Sequence, residues 1–420
     1  MRAFRLPPGP CRAAPHIPGD KSLSHRALLL AAMAAGTSRV ANLGPGQDVA
    51  ATAEALGYLG VEVARGEVRS RGIDAWTAPP GPLDAGNSAT TMRLLAGALC
   101  GRAFTSTVVG DGSLMGRPMD RLAGPLEALG ARIELGPGGR PPLTMRPASL
   151  HGAAVAVTEA SAQVRSAVAF AGLQAEGATT ITSPAGFRDH TERWLEAMGL
   201  GRRLGPSSFE LLPGPVPPAH YELPADLSSA AGLLAAAALR PGSEMTVRDV
   251  TLNPGRTGFL DILEAMGARV TRAATRLLHG DPVGDVVVSG ADLRGIRIQG
   301  LLAARAIDEL PLVGILAAAA EGETVVAGAA ELRVKETDRA TATVRLIRAL
   351  GGDAEERPDG FVVQGTGGLA GGSVDAGGDH RIAIAAAVAA VVAPEVLVEG
   401  FEAVAVSWPG FGEALEALWS

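Results

Sequence analysis

Lysine is almost absent from this chain. Of 37 basic residues in 420, only Lys21 and Lys335 are lysines, and the remainder are arginines. A bias toward arginine therefore acts along the sequence and is resisted at two positions. A lysine ammonium is compact, approaches a single oxygen closely and shifts its pKa readily. Because both lysines lie in the densest polar clusters of the chain, we predict that both are functional.

Other shortages exclude several classes of protein. The two cysteines, Cys11 and Cys100, form neither a disulfide framework nor a metal-ligand spacing. The longest uncharged apolar run, residues 382–394, is too short to span a bilayer, and the first residues lack the apolar core of a signal peptide. A net charge of −7 does not favour nucleic acid or an anionic membrane as a partner. We therefore expect a cytoplasmic enzyme.

The length of the chain predicts two lobes. A single hydrophobic core rarely extends beyond roughly 250–300 residues, and 420 residues with 47% hydrophobic content exceed that limit. The Pro-rich segment 212–224 and the region near His16 are the expected crossings between lobes. We predict one lobe from residues 1–15 and 225–420, and a second lobe from residues 16–224.

One pattern recurs along the whole chain. In its first copy a polar stretch, residues 18–26, precedes an apolar run, residues 27–35, then Gly36 and an extended segment. Asp20, Ser22 or Ser24 can cap the helix that this pattern predicts, and Gly36 is expected to end it. The six copies begin at Pro18, Leu83, Ala160, Pro224, Ile307 and Gly377. Their spacing of roughly 65–85 residues indicates a repeated supersecondary unit.

A second series of helices is predicted between these copies. Their apolar residues recur at intervals of three and four, so the helices are amphipathic, whereas the first series is apolar all round and therefore buried. The second series covers residues 49–59, 117–129, 191–198, 258–266, 337–350 and 410–418. The predicted fold is α/β, with two lobes of three repeated inverse α/β units each. If the buried helices run parallel, their polar starts converge on a cleft suited to anionic small molecules.

The nine residues from Glu331 to Arg339 are unusually rich in charge. They contain Lys335 and the neighbouring Glu336 at a predicted junction between a strand and a helix. A solvated helix start with local ion pairs is the plain alternative. The sequence lacks a P-loop, a metal triad and a nucleophile elbow. We favour a site that uses charged side chains rather than a bound metal.

Five motifs, taken in order, resemble the 5-enolpyruvylshikimate-3-phosphate (EPSP) synthase family. They are residues 19–26, 87–93, 110–118, 331–339 and 379–381, and the resemblance covers essentially the whole chain. It implies an enolpyruvyl transferase-like, inside-out α/β fold and an active site in the cleft between the lobes. It also implies transfer of the enolpyruvyl group of phosphoenolpyruvate to the 5-hydroxyl of shikimate-3-phosphate, with release of phosphate. No metal or organic cofactor is implied.

The resemblance also implies roles for particular residues. Lys21 bridges both substrates, Asp308 accepts the 5-hydroxyl proton, and Glu336 moves protons at the enol methylene. The residues implied for shikimate-3-phosphate are Lys21, Ser22, Arg26, Ser161, Ala162, Gln163, Arg188, Asp308 and Lys335. Those implied for phosphoenolpyruvate are Lys21, Ala89, Arg117, Gln163, Arg339 and Arg381. An alternative for Asp308 is helix capping.

The sequence departs from the commonest family pattern at two places. Ala89 stands where many members have glycine, and together with residues 161–163 it resembles the glyphosate-tolerant class. We therefore predict tolerance of glyphosate. A lysine found near the C-terminus of some members is absent, because residues 406–409 are Val-Ser-Trp-Pro.

Two alternative functions are compatible with parts of the pattern. The sister enzyme that transfers enolpyruvate to UDP-N-acetylglucosamine usually carries a cysteine before an Arg-Pro pair, and residues 110–118 contain none. A non-catalytic repeat scaffold that binds a phosphorylated ligand would not need Asp308, Lys335 and Glu336. The family suggests a monomer, with the two small molecules as its partners.

Overall fold

The computed structural model describes residues 1–158, 161–184, 186 and 188–419. Contacts between Cα atoms divide the chain into two compact units. The C-terminal unit comprises Met1–Pro18, Pro224–Arg276 and Pro282–Ser420, and the N-terminal unit comprises Gly19–Leu223 with Leu277–Asp281. The lobe boundaries predicted from the sequence place residues 277–281 in the C-terminal lobe together with the rest of 225–420. The structure groups them with the N-terminal unit.

The helices and strands follow in chain order. The α-helices are α1 (Lys21–Met33), α2 (Gln47–Tyr58), α3 (Ala89–Leu99), α4 (Gly112–Met115), α5 (Asp120–Glu127), α6 (Ala162–Gly172), α7 (His190–Ala197), α8 (Leu227–Ala238), α9 (Gly258–Ala265), α10 (Gly300–Arg305), α11 (Leu310–Ala319), α12 (Arg339–Ala349), α13 (His380–Ala389) and α14 (Phe411–Glu416). Short 3-10 helices cover Ile73–Ala75, Ala330–Val334, Phe401–Val406 and Ala417–Trp419. The strands are β1 (Arg2–Phe4), β2 (Arg12–Ala13), β3 (Ala35–Ala41), β4 (Glu62–Ala64), β5 (Glu67–Arg71), β6 (Leu83–Asp84), β7 (Ser106–Val109), β8 (Arg132–Gly136), β9 (Arg140–Arg146), β10 (Ala154–Ala156), β11 (Thr179–Thr182), β12 (Gly201–Gly205), β13 (Ser208–Leu211), β14 (His220–Glu222), β15 (Glu244–Thr251), β16 (Arg269–Leu278), β17 (Asp281–Ser289), β18 (Arg297–Ile298), β19 (Glu323–Val326), β20 (Asp353–Arg357), β21 (Gly360–Gln364), β22 (Gly372–Asp375) and β23 (Val396–Glu399).

The N-terminal unit contains three small mixed sheets. Their strand orders are β14-β3-β5-β4, β6-β7-β9-β8 and β10-β11-β13-β12. In each sheet the first two strands are parallel and the others antiparallel, as for β6 and β7, which α3 connects. Helices α1, α3 and α6 are buried along nearly their whole length, because alanine, leucine and other small or apolar residues of each helix lie on all of its faces. Helices α2, α5 and α7 expose one face.

The C-terminal unit repeats this plan. Its sheets have the strand orders β16-β17-β15-β2, β18-β19-β21-β20 and β1-β23-β22. The last sheet joins the two ends of the chain, because β1 pairs antiparallel with β23. Helices α8, α11 and α13 form the buried interior, and every residue of α8 is buried. The six-unit α/β architecture predicted from the sequence is confirmed.

Several helix boundaries differ from those predicted. Of the three predicted caps Asp20 is the one used, so α1 begins at Lys21 and residues 21–26 form its first turns. It ends at Met33, and Gly36 lies within β3 with a φ of 134°. The predicted helix over 117–129 is the shorter α5, Asp120–Glu127, and the separate short helix α4 precedes it. Among the residues that the structure describes, no helix combines the length and apolarity needed to cross a membrane.

Candidate active site

Lys21 is the first residue of α1 in the N-terminal unit. Asp20 caps this helix, since its carboxylate accepts a hydrogen bond of 2.9 Å from the backbone N–H of Leu23. The Lys21 ammonium lies 2.9 Å from Oδ2 of Asp48, in the first turn of α2. The Lys21 side chain keeps 19% of its exposure. An ion pair thus fixes an ammonium that is still accessible to a ligand.

Arg26 lies one turn further along α1 and is buried. Its guanidinium donates hydrogen bonds to Thr191 Oγ1 at 2.8 Å, to the carbonyl oxygen of Ser22 at 2.7 Å and to Ser166 Oγ at 2.9 Å. Burial lowers the pKa of Arg26 to about 10, nearby carboxylates oppose that shift, and the positive charge of Arg188 adds to it. The group remains charged at neutral pH. A cation that burial has removed from water attracts anions strongly.

Gln163 connects the starts of α6 and α3. Its amide donates to Thr90 Oγ1 at 2.8 Å, and its amide oxygen accepts from Arg93 Nη1 at 2.5 Å. Ser161 caps α6 by accepting a hydrogen bond of 3.3 Å from the N–H of Val164, which makes Ala162 the first helical residue. These contacts hold the amide of Gln163 in one orientation at a helix start.

Ala89 and Arg117 lie close to the same helix start. Ala89 is the first residue of α3 and is 6% exposed. Arg117 is nearly as buried, and its Nη2 donates to Oδ1 of Asn87 at 2.9 Å. The amide of Asn87 in turn donates to Asp111 Oδ2 at 2.8 Å. Because Arg26 joins α1 to α6 and Gln163 joins α6 to α3, the predicted residues of this unit gather where three buried helices begin.

Asp308 is the centre of the second group, in the C-terminal unit. Its Oδ1 lies 3.3 Å from Lys335 Nζ and 3.3 Å from Arg339 Nη1. Arg339 also donates to Glu336 at 2.5 Å and to Asp379 at 2.8 Å through Nε. The second lysine of the chain therefore lies in a charged cluster with two carboxylates assigned from sequence. These contacts favour a functional site over the solvated helix start, because the Arg339 side chain is 2% exposed.

The charge of Arg339 is stabilised by its partners. Burial alone would lower the pKa of this guanidinium, but the carboxylates of Asp379, Glu336 and Asp308 outweigh burial and raise the pKa. A buried guanidinium surrounded by three carboxylates is fully ionised at every physiological pH. It fixes the geometry of the acidic side chains that it binds.

Arg381 joins the starts of α13 and α8. Its backbone N–H donates to Asp379 Oδ1 at 2.9 Å, and its Nη1 donates to the carbonyl oxygen of Ser228 at 3.1 Å. The same Nη1 lies 3.8 Å from Glu309 Oε1. Glu309 occupies the N-cap position of α11. The starts of α8, α11 and α13 therefore meet around Arg381, as the starts of α1, α3 and α6 meet in the other unit.

Several residues that hold this site together have no role predicted from the sequence. Asp379 binds the side chain of Arg339 and caps α13. Glu309 and Ser228 contact Arg381, and Asn87 and Arg93 contact Arg117 and Gln163. Asp379 offered one signal, an aspartate directly before a buried helix and two residues before an arginine. The other contacts depend on tertiary packing.

The arrangement provides cations, helix N-termini and carboxylates. Phosphates and carboxylates bind well at helix N-termini that carry arginine or lysine. Asp308 and Glu336 are suited to proton transfer. Within the described part of the chain, no group of three or more His, Cys, Asp or Glu side chains is arranged to hold a metal ion.

The fold is that of the enolpyruvyl transferases. The enolpyruvyl transferase NikO from Streptomyces tendae superposes with a TM-score of 0.78, over 99% of this chain and 96% of that chain, at 18% sequence identity. EPSP synthase from Acinetobacter baumannii superposes with a TM-score of 0.85, at 38% identity, over 98% of this chain and 97% of that chain.

The chain belongs to the EPSP synthase (3-phosphoshikimate 1-carboxyvinyltransferase) family, whose model matches residues 7–415. A 3-phosphoshikimate 1-carboxyvinyltransferase of Desulforudis audaxviator is 45% identical over 412 residues, which cover 96% of each chain. The corresponding protein of Bacillus subtilis is 42% identical over 411 residues, again covering 96% of each. The resemblance stated from the sequence motifs is confirmed at the level of the family.

Proposed function

We propose that this protein transfers the enolpyruvyl group of phosphoenolpyruvate to the 5-hydroxyl of shikimate-3-phosphate and releases phosphate. The observation that carries the proposal is a family match over residues 7–415. Within the matched region, Asp308 and Glu336 are ion-paired to a buried arginine. The sister reaction on UDP-N-acetylglucosamine is not favoured, since the family model and the curated relatives are those of EPSP synthase.

Charge supports the proposed pair of substrates. Each carries a phosphate and a carboxylate, and together they hold about six negative charges near neutral pH. The proposed binding cations are Lys21, Arg26, Arg117, Arg188, Lys335, Arg339 and Arg381. Two polyanions repel each other strongly when no cations compensate them. Arginine forks match the oxygens of both phosphate and carboxylate.

The residues of the N-terminal unit are proposed to bind most of the shikimate-3-phosphate. Arg26 and Arg188 supply charge, and the capped starts of α1 and α6 supply N–H groups. The set comprises Lys21, Ser22, Arg26, Ser161, Ala162, Gln163 and Arg188, to which Asp308 and Lys335 are added from the C-terminal unit.

Phosphoenolpyruvate is proposed to bind Lys21, Arg117, Gln163, Arg339 and Arg381, next to Ala89. Lys21, Arg117, Gln163 and Arg381 each already make a hydrogen bond or ion pair to a neighbour, at distances of 2.5–3.1 Å. Arg339 is fixed by carboxylates. Preorganised donors lose little conformational entropy when the anion arrives.

Proton transfer is proposed for two carboxylates. Asp308 accepts the proton of the 5-hydroxyl of shikimate-3-phosphate as that hydroxyl oxygen bonds to the central carbon of phosphoenolpyruvate. At the same time the methylene carbon of phosphoenolpyruvate gains a proton, and Glu336 takes part in this proton transfer. The methyl group then loses a proton and the C–O bond to phosphate breaks, which restores the double bond. The positive charge that develops at the attacked carbon is stabilised by the nearby carboxylates.

We also propose tolerance of glyphosate. Ala89 begins α3 and is 6% exposed, so its methyl group occupies space that a glycine would leave open beside the proposed phosphoenolpyruvate site. A ligand slightly longer than phosphoenolpyruvate meets that methyl group. Inhibition assays against phosphoenolpyruvate test this point, and tight competitive inhibition by glyphosate would refute it.

The protein is further proposed to act as a cytoplasmic monomer, which sedimentation analysis and fractionation would test.

One assay decides the main proposal. Phosphate release is measured with phosphoenolpyruvate and either shikimate-3-phosphate or UDP-N-acetylglucosamine as acceptor, beside an Asp308→Asn variant. Release with shikimate-3-phosphate alone, lost in the variant, is the expected result. Release with the nucleotide sugar would establish the sister reaction. Binding without release in the wild-type protein would indicate a ligand-binding scaffold.

A further inference from the structure

Glu309 differs from the other residues at the N-cap positions of the buried helices. The caps of α1, α3, α6, α8 and α13 are aspartate or serine, and each accepts a hydrogen bond from an N–H of its own helix. Glu309 stands at the N-cap of α11, and its side chain makes no capping hydrogen bond. Its carboxylate therefore does something other than stabilise the helix that it precedes.

The carboxylate of Glu309 is directed at two other helix starts. Its Oε1 accepts a hydrogen bond from the hydroxyl of Ser228, in the first turn of α8. The same oxygen lies 3.8 Å from Nη1 of Arg381, in the first turn of α13. The backbone carbonyl of Ser228 accepts a hydrogen bond of 3.1 Å from that Nη1. Ser228 thus contacts Glu309 with its side chain and Arg381 with its backbone.

The burial of this group has an energetic consequence. The side chains of Glu309 and Arg381 are 4% and 9% exposed. Among the described residues, Glu309 Oε2 has no hydrogen-bond partner. A buried carboxylate is costly unless hydrogen bonds and a counter-charge compensate it. Ser228 supplies the hydrogen bond and Arg381 the counter-charge, so Glu309 and Arg381 hold each other in place.

We propose that Glu309 is a positioning residue for Arg381 and thereby sets the affinity for phosphoenolpyruvate. This inference rests on the proposed role of Arg381 in binding that substrate. An arginine side chain has many rotamers, and the carboxylate restricts them to those that direct the guanidinium toward Ser228. Glu309 itself need not touch the substrate. Loss of the charge of Glu309 releases the guanidinium of Arg381. The residues of the N-terminal unit that are proposed to bind shikimate-3-phosphate are unaffected.

The decisive variant is Glu309→Gln, which keeps an oxygen to accept from Ser228 and removes the charge. We expect the KM for phosphoenolpyruvate to rise roughly tenfold, less than the 10²-fold that a misplacement of about 1 Å can cost. The kcat and the KM for shikimate-3-phosphate should change less than about threefold. Ser228→Ala should raise the same KM by a smaller factor. The exposed pair Glu355 and Arg357 provides the control, Glu355→Gln, which should leave both KM values unchanged.

A double-mutant cycle separates positioning from a general effect on the fold. Arg381→Lys alone tests the proposed function, because it should raise the KM for phosphoenolpyruvate whatever Glu309 does. In that background, Glu309→Gln should add less than about a twofold further change. An unchanged or lowered KM for phosphoenolpyruvate in Glu309→Gln overturns the inference, and so does a full additive effect in the double variant. If Arg381→Lys leaves that KM unchanged, the proposed function of Arg381 is wrong instead.

Discussion

Asp308 and Glu336 are bound to the same cation. The guanidinium of Arg339 lies 3.3 Å from Asp308 and 2.5 Å from Glu336, and Asp379 holds its remaining side at 2.8 Å. One buried arginine therefore fixes the separation of the two carboxylates proposed to move protons. Their geometry depends on a side chain that transfers no proton itself.

Arg339→Lys should disrupt this arrangement while keeping the charge. A lysine is a point charge and cannot replace the planar fork, so at least two charge-assisted hydrogen bonds are lost. We expect kcat/KM to fall by about a hundredfold or more. The free energy of unfolding should fall by about 3 kcal/mol, since breaking a buried ion-pair network is costly.

Steady-state kinetics and urea unfolding check this prediction. Arg357→Lys, at an exposed ion pair with Glu355, is the control and should change stability by less than about 0.5 kcal/mol. Wild-type kinetics in Arg339→Lys would show that the guanidinium fork shared by the carboxylates is not needed for the reaction.

Lys21→Met should weaken turnover without unfolding the protein. The ammonium is 19% exposed and pairs with Asp48, so its removal costs roughly 1.5–3 kcal/mol for each charge-assisted contact that a substrate makes with it. We expect kcat/KM to fall at least tenfold for both substrates. Arg39→Met, at a side chain that is 71% exposed, is the matched loss of a cation in the same unit. Equal activities of the two variants would remove Lys21 from the proposed site.

Ala89→Gly should sensitise the protein to glyphosate. The substitution removes one buried methyl group at the first position of α3 and costs at most about 1 kcal/mol of helix stability. We expect the inhibition constant for glyphosate to fall at least tenfold, with a KM for phosphoenolpyruvate that changes much less. Inhibition kinetics at several phosphoenolpyruvate concentrations measure both. An unchanged inhibition constant would assign tolerance, if present, to other residues.

His25 should make the protein sensitive to acid. It is fully buried, with its Nδ1 2.7 Å from Thr52 Oγ1, and burial together with the charges of Lys21 and Arg26 holds its pKa well below the usual value of 6.5. The unfolded chain therefore binds a proton at His25 that the folded protein does not. This term of stability is fully present above pH 6.5 and is lost as the pH falls below it, by up to about 1.4 kcal/mol per pH unit.

Unfolding free energies between pH 7.5 and 5 test this dependence. His25→Gln should show a shallower loss of stability over that range than the wild-type protein, even if its stability at pH 7.5 is lower. His151→Gln, at an exposed histidine of the same unit, should keep the wild-type slope. Identical slopes in all three proteins would contradict a buried neutral His25.

The repeated architecture could be predicted from sequence because it rests on local patterns. An alanine-rich run after a polar start and an amphipathic run before a glycine are visible without tertiary information, and α8 and α9 follow those patterns closely. The predicted positions of the helix starts agree less closely with the structure. Three polar residues before Ala27 are possible caps, and only the structure selects Asp20, so that the helix already includes Lys21 and Arg26.

The contacts that organise the candidate site could not be predicted in the same way. Asp379 and Arg339 are 40 residues apart, and Glu309 and Ser228 are 81 apart. Such pairs arise only when helices that are far apart in the sequence begin at one place. The grouping of Leu277–Asp281 with the N-terminal unit has the same origin, because Asp281 binds His190 Nδ1 at 2.8 Å and Trp194 Nε1 at 3.2 Å. The roles assigned to individual site residues stay predictions until the variants are measured.

Because the chain is synthesised from its N-terminus, residues 277–281 affect when the N-terminal unit can finish folding. When the ribosome has synthesised residue 223, nearly all of the N-terminal unit has been made but Asp281 has not. The contacts of His190 and Trp194 with the carboxylate of Asp281 cannot form at that stage. Pairing of the first strand is delayed further, because β1 pairs with β23, which is synthesised near the end of the chain. Neither half of the nascent polypeptide can complete its interior in isolation, and truncated chains should therefore be favoured substrates for chaperones and proteases.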